Sequence, residues 1–93
     1  MENPTLNNEQ SKEEKQKAFW ERARKGVLQY LSEQGGKLHM SKLHDFSMNK
    51  YLIQHQSFSK MMEGFVADDL IFYDDLNQEI MLTDKGRVYI DQK

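Results

Sequence analysis

The sequence predicts a mainly α-helical domain with a small β-hairpin, an α+β fold. Apolar residues recur at helical spacing in several segments, and capping residues precede those segments. Near the C-terminus, two short β-prone runs flank a polar turn. A chain of 93 residues with 38% apolar residues has room for one core. We therefore expect a flexible polar tail over residues 1–11 and one domain over residues 12–93.

The first predicted helix is long and amphipathic. Ser11 followed by Glu14 has the spacing of a capping box, which places the helix start there. At 100° per residue, one stripe of this helix collects apolar residues; they are Phe19, Trp20, Ala23, Val27, Tyr30 and Leu31. The pair Gly35-Gly36 should end the helix, because glycine accepts the left-handed backbone of a helix C-terminus.

The middle of the chain predicts two shorter helices. Residues 37–40 suit a short edge strand or an extended connector, and Ser41 then caps a second helix that turns Leu43 and Phe46 inward. Residues 47–55 fit either a separate helical turn or a continuation of the second helix. A third helix from about Gln56 places four bulky apolar residues on one face; they are Phe58, Met61, Met62 and Phe65.

The C-terminal part predicts a hairpin and a closing helix. Residues 71–73 and 80–82 are the β-prone runs, and we expect Leu82, like Phe65 of the third helix, to be buried. Thr83 then caps a last helix that returns residues 88–90 to the core. Gly86 in that helix either permits a close approach or only lowers helix stability.

Charge is divided along the chain, although the net charge is only -2. Residues 37–60 contain four basic residues, one acidic residue and all three histidines. Residues 61–84 contain seven acidic residues and no basic one. The first stretch should attract phosphate groups, and the second should repel them.

Several classes of protein are disfavoured by the sequence. There is no cysteine for disulfides or thiolate metal sites, and no apolar run long enough for a membrane span or signal peptide, so we expect a cytoplasmic protein. His39 and His44 lie on different predicted elements without zinc-site spacing, and no glycine-rich phosphate loop or catalytic signature is present. We therefore expect no enzyme activity, no metal and no cofactor.

The order helix, short strand, helix, helix, hairpin, helix resembles the winged helix-turn-helix family over residues 18–91. Its most specific parts are the stretch FVADDLI at residues 65–71 and the stretch LTDKGR at residues 82–87. They are similar to the end of the family's recognition helix and to its exit from the wing. One departure is Asp69, which stands where the family usually has glycine. The resemblance implies a three-helix core, a wing formed by the hairpin, and a C-terminal helix.

By position, the resemblance implies a DNA-binding transcription regulator that reads duplex DNA with its third helix. Glutamine can read adenine, while lysine and arginine can contact phosphate. The candidate DNA contacts are Gln54, Gln56, Ser57, Ser59, Lys60, Lys50 and Arg24. Glutamine and serine at a helix start are exposed to solvent as often as they read bases. Their positions alone therefore do not show that they contact DNA.

Two further expectations concern partners. Regulators of this type commonly pair to read two half-sites, so Phe19 and Trp20 are a candidate homodimer contact, although aromatic residues at helical spacing are more often core. The alternative function is a protein-binding winged-helix module that does not bind DNA. Its candidate contacts are the acidic wing residues Asp74, Asp75 and Glu79, which oppose an approach to phosphate.

Overall fold

The computed structural model describes the backbone of residues 4–92 and the side chains of residues 14–92. Within this part, the chain forms four helices and three strands. In chain order they are α1 (Pro4–Glu33), β1 (Lys37–His39), α2 (Met40–Tyr51), α3 (His55–Ala67), β2 (Ile71–Asp74), β3 (Glu79–Leu82) and α4 (Asp84–Asp91). The strands form one antiparallel sheet in the order β1-β3-β2. The predicted α+β class is confirmed.

The first helix begins earlier than the sequence predicts. α1 starts at Pro4, and proline suits the first turn of a helix because the amide hydrogen it lacks would have no partner there. Ser11 therefore lies inside the helix, and its predicted role as the N-cap is wrong. Residues 4–11 of the predicted tail are helical, while residues 1–3 lie outside the described residues.

The core is built around the C-terminal half of α1. Ala23, Val27, Leu28 and Leu31 are fully buried there, although the predicted stripe did not include Leu28. The other elements add apolar side chains around them; the buried ones are Leu43, Ile53, Phe58, Met61, Met62, Phe65, Leu70, Ile71, Ile80 and Leu82. The predicted burial of Phe65 and Leu82 is confirmed.

The second helix is capped by a different residue from the one predicted. The amide of Ser41 donates to Nδ1 of His39 at 3.1 Å, so His39 is the N-cap and Ser41 already lies inside α2. α2 continues through Tyr51, which decides between the two interpretations of residues 47–55. It ends at Leu52, whose φ of 57° is left-handed and whose amide donates to the carbonyl of Met48 at 2.9 Å.

The hairpin, α3 and α4 meet at Thr83, which caps α4 as predicted. Its hydroxyl accepts from the amide of Gly86 at 2.9 Å and lies 2.7 Å from the carbonyl oxygen of Asp69, to which it donates. Its own amide donates to the carbonyl of Leu70 at 3.1 Å. These bonds fix the start of α4 against the end of α3.

Gly86 permits the close approach that the sequence left open. A Cβ atom at this position would overlap the carbonyl oxygen of Leu70 and lie 2.7 Å from Cδ1 of Leu82. With Gly86 facing inward, Tyr89 and Ile90 follow on the same side of α4 and pack against the core. Val88 is 59% exposed, so its predicted burial is wrong, because two residues of helix turn it to the opposite side.

Two glycine substitutions should therefore have opposite effects on stability. Gly86→Ala places a methyl group against the backbone of Leu70 and should lower the free energy of unfolding by about 1–3 kcal/mol. Gly64→Ala in α3 meets nothing within 4 Å and should raise it by about 0.5–1 kcal/mol, because alanine favours the helix. Urea unfolding of both variants measures the difference. Equal effects at the two positions would contradict this account of the packing.

Candidate nucleic-acid interface

The exposed side of α3 carries most of the predicted DNA contacts. Four buried residues of α3, Phe58, Met61, Met62 and Phe65, set the rotation of the helix against the core. As a result, Gln56, Ser57 and Lys60 point to solvent, while Ser59 is half-buried. Gln56, Ser57 and Lys60 thus share the exposed side of α3, whereas Ser59 lies on another side of the helix.

The turn before α3 extends this surface. Lys50 lies exposed in the last turn of α2, and Gln54 lies exposed at the N-cap position of α3 without a side-chain capping bond. Lys50 also borders a separate groove together with Asp45. We group Lys50 and Gln54 with Gln56, Ser57 and Lys60 as the α2–α3 face. The positive end of the α3 dipole lies at the same place, which favours an anion there.

The α2–α3 face has one acidic neighbour, because Glu63 follows Gln56 by seven residues and Lys60 by three and so lies close to both on α3. Between Asp45 and Glu63 the chain contains two lysines and one histidine but no carboxylate. The histidine is His55, the first residue of α3, which is exposed and which the sequence reasoning did not select. The helix predicted from the sequence starts at about Gln56, one residue too late, and so His55 is not among the candidate contacts.

Arg24 does not belong to this face. Its guanidinium is 3.0 Å from a carboxylate oxygen of Asp68 and 3.7 Å from one of Glu21, and its side chain is only 16% exposed. The same group lies over the rings of Phe65 and Tyr89, at 5.2 and 5.6 Å from their centres. Arg24 therefore ties α1 to α3 and α4 within the protein, whereas the sequence suggested a phosphate contact.

The predicted dimer contact borders the α2–α3 face. Phe19 is 41% exposed and packs edge-on against Tyr51, while Trp20 is partly buried against the core. Both line a groove of about 610 Å³, together with residues of the α2–α3 turn. Gln54 and Ser57 line the same groove. A second copy seated over Phe19 and Trp20 would therefore cover two of the predicted base-reading residues.

The acidic wing residues differ in how far they are engaged. The carboxylate of Asp74 accepts from the side-chain amide of Asn77 at 2.9 Å and from the backbone amides of Leu76 and Asn77. Glu79 lies 3.4 Å from the ammonium of Lys37 on the neighbouring strand. Asp75 lies exposed at the tip of the hairpin. Asp74 thus holds the hairpin turn, and Glu79 joins β3 to the edge strand β1.

The histidines do not assemble a metal site with acidic residues. His39 caps α2, and Nε2 of His44 is buried without a hydrogen-bond partner, with its ring edge-on against Phe58. The ring of His55 is 5.6 Å from that of His44. Over residues 14–92, no group of three metal-binding side chains of the His, Cys, Asp and Glu types occurs.

The helices in the described part of the chain are too polar or too short to cross a membrane. Even α1, with its 30 residues, lacks the apolar stretch that a membrane-crossing helix needs, and the same holds for the other helices in the described range.

Comparisons with family models, curated proteins and solved structures found no match to this chain. The function must therefore be argued from the geometry of the chain itself.

The hydrogen bonds at Asp74 predict an acid-sensitive hairpin. The side-chain amide of Asn77, followed by backbone amides, holds the pKa of Asp74 below its ordinary value of 3.8. Because the folded pKa is lowered, its stabilising effect is present above that ordinary value and is lost as pH falls through the folded pKa. A carbon-13 NMR titration of the Asp74 carboxyl should give a midpoint below 3.8.

Asp74→Ala provides the control for this titration. The variant should lower the melting temperature at neutral pH and remove the acid-dependent change in the Asn77 side-chain amide resonances. An ordinary midpoint for Asp74, or an Asn77 resonance unchanged by the substitution, would contradict the proposed turn contacts.

Proposed function

We propose that this protein is a winged-helix DNA-binding protein that presents the α2–α3 face to duplex DNA. The observation that carries the proposal is the exposed set of amide, hydroxyl and ammonium groups around the start of α3, formed by Lys50, Gln54, Gln56, Ser57 and Lys60. The order of the elements and the β1-β3-β2 sheet are compatible with a winged-helix layout.

Each group on this face has a distinct role in the proposal. Lys50 and Lys60 contact phosphates on either side of the groove, which supplies affinity without sequence preference. Gln56 faces the base edges, where an amide can bond adenine through both of its polar atoms. Ser57 bonds a base or a phosphate. The proposed role in the cell is transcription regulation through occupancy of a DNA site.

We include a homodimer in the proposal on the condition that its interface leaves Gln54 and Ser57 accessible to DNA. The groove beside Phe19 and Trp20 also holds Gln54 and Ser57, so a dimer that fills the groove would compete with DNA. A homodimer that reads two half-sites must therefore use the α1 side of Phe19 and leave the α3 side open.

A second candidate function is supported by the hairpin. Phe72 on β2 is 60% exposed, and Leu76 at the hairpin tip is 95% exposed. The tip also carries Asp75, whose charge opposes an approach to phosphate. An exposed leucine beside a carboxylate is better suited to a protein partner than to a nucleic acid. The wing would then be the contact surface of a protein-binding module.

The test of DNA binding is a titration of labelled duplex DNA against salt concentration. Lys50→Gln and Lys60→Gln should each weaken binding and reduce the slope of log affinity against log salt by about 1. Lys85→Gln, an exposed lysine on α4, is the matched control and should change neither quantity. Arg24→Gln should lower the melting temperature and leave the salt slope unchanged, because its contacts are internal.

The same assay separates the two candidate functions. Asp75→Asn should strengthen DNA binding if the wing approaches the backbone, because one repulsive charge is removed. Leu76→Ala should leave DNA affinity unchanged and weaken only a protein contact. Absence of any salt-dependent binding by the wild-type protein at low salt would remove the DNA proposal and leave the wing as the surface to pursue.

A further inference from the structure

A second surface of α3 borders an open apolar cleft against the sheet. Two adjoining cavities of about 360 and 430 Å³ lie here, and both are lined by Met40, Met62 and Glu63. The smaller cavity reaches the sheet at Ile71 and Ile80. We call the two cavities together the α3–sheet cleft. It lies beside the α2–α3 face, on a neighbouring side of the same helix.

Strand alternation and helix periodicity create the apolar lining. Ile71 and Tyr73 point to the same side of β2, and Ile80, paired with Tyr73, joins them from β3. Across the cleft, Met62 and Val66 are four residues apart and lie on one side of α3. Val66 is 50% exposed, whereas Ile71 and Ile80 are buried at the floor. The cleft therefore has an open mouth and an apolar floor.

The charged residues of the cleft have one sign. Glu63 borders both cavities, and Asp45 borders the larger one. Neither lysine nor arginine is among the lining residues of either cavity. His44 and the exposed His55 also line the larger cavity, where Nε2 of His44 is enclosed without a hydrogen-bond partner. Among the described residues, the smaller cavity is lined by no histidine, and Glu63 is its one charged residue. An occupant with a positive group at Glu63 is therefore favoured over an anionic one.

We propose that the α3–sheet cleft binds a small amphiphilic amine. Its aliphatic or aromatic body lies between Val66 and Ile80, and its ammonium group donates to the carboxylate of Glu63. A volume of 360 Å³ falls within the range of about 300–1,000 Å³ that is usual for small-molecule sites.

The amine site and the proposed DNA binding can be tested separately, although they adjoin. The apolar lining at Met62 and Val66 lies on a different side of α3 from Gln56, whereas Glu63 lies between the two surfaces. A failure to bind DNA would leave the cleft and its charge unchanged. A failure to bind an amine would likewise leave the α2–α3 face as described.

The test uses octylamine and octanoate, which share a chain length and differ in the sign of the charge. Amide and methyl NMR shifts are followed below the micelle concentration at pH 7. Octylamine should bind about two- to fivefold more tightly than octanoate, the size expected for an exposed charge pair. The shifts should concentrate on Ile71, Val66 and Ile80.

Two pairs of variants locate the site. Glu63→Gln should remove the preference for the amine, whereas Glu33→Gln, at the exposed end of α1, should retain it. Val66→Trp narrows the mouth and should weaken binding of both probes. Val88→Trp, at a similarly exposed valine on α4, should not.

Three results would overturn the proposal. One is the absence of shifts at the cleft for octylamine, and another is equal affinity for the two probes. The third is an amine preference that survives Glu63→Gln, since it would place the ammonium elsewhere. Circular dichroism of each variant establishes that the fold is retained, and the valine pair tests the cavity without changing any charge.

Discussion

The hydrogen bonds around Thr83 hold the orientation of α3 relative to the sheet, and both surfaces of α3 depend on that orientation. The threonine hydroxyl joins the end of α3, at Asp69, to the start of α4, at Gly86. One residue earlier, the amide of Leu82 donates to the carbonyl of Gly36 at 2.8 Å, which ties β3 to the end of α1. The end of β3 therefore holds α1, α3 and α4 in position. Because Gly86 has no side chain, α4 can approach the backbone of Leu70 closely enough to form these hydrogen bonds.

Given this orientation, the three sides of α3 follow from its sequence. Phe58 and Phe65 turn one side into the core. Gln56 and Lys60, four residues apart, define the exposed side that we assign to DNA. Met62 and Val66 fall on a third side, over the sheet, and Glu63 lies between this side and that of Gln56. One short helix can thus contribute side chains to the core, to a polar interface and to an apolar cleft, because its 3.6-residue periodicity directs these side chains to different sides.

The sequence predicted the order of the elements well, misplaced the starts of α1 and α2, and predicted the tertiary use of side chains poorly. Periodicity placed α3, and the turn composition placed the hairpin, because both signals lie within a few residues. The ion pair of Arg24 is formed with Asp68, which is distant in sequence, so no local sequence pattern could predict this contact. Asp69, which departs from the glycine of the winged-helix pattern, has a φ of 59°. Aspartate tolerates this left-handed conformation better than most residues, which explains how it can occupy this turn without glycine.

The two proposed sites meet on α3, because Lys60 and Glu63 are three residues apart on adjoining sides. The carboxylate of Glu63 reduces the positive potential at Lys60, where we place a phosphate. An ammonium bound at Glu63 would neutralise that charge, so an amine and DNA should strengthen each other's binding. Linkage requires the same factor in both directions. Titrating duplex DNA with and without octylamine should show the increase in wild type and none in Glu63→Gln; a decrease in wild type would mean that the amine blocks the approach of DNA.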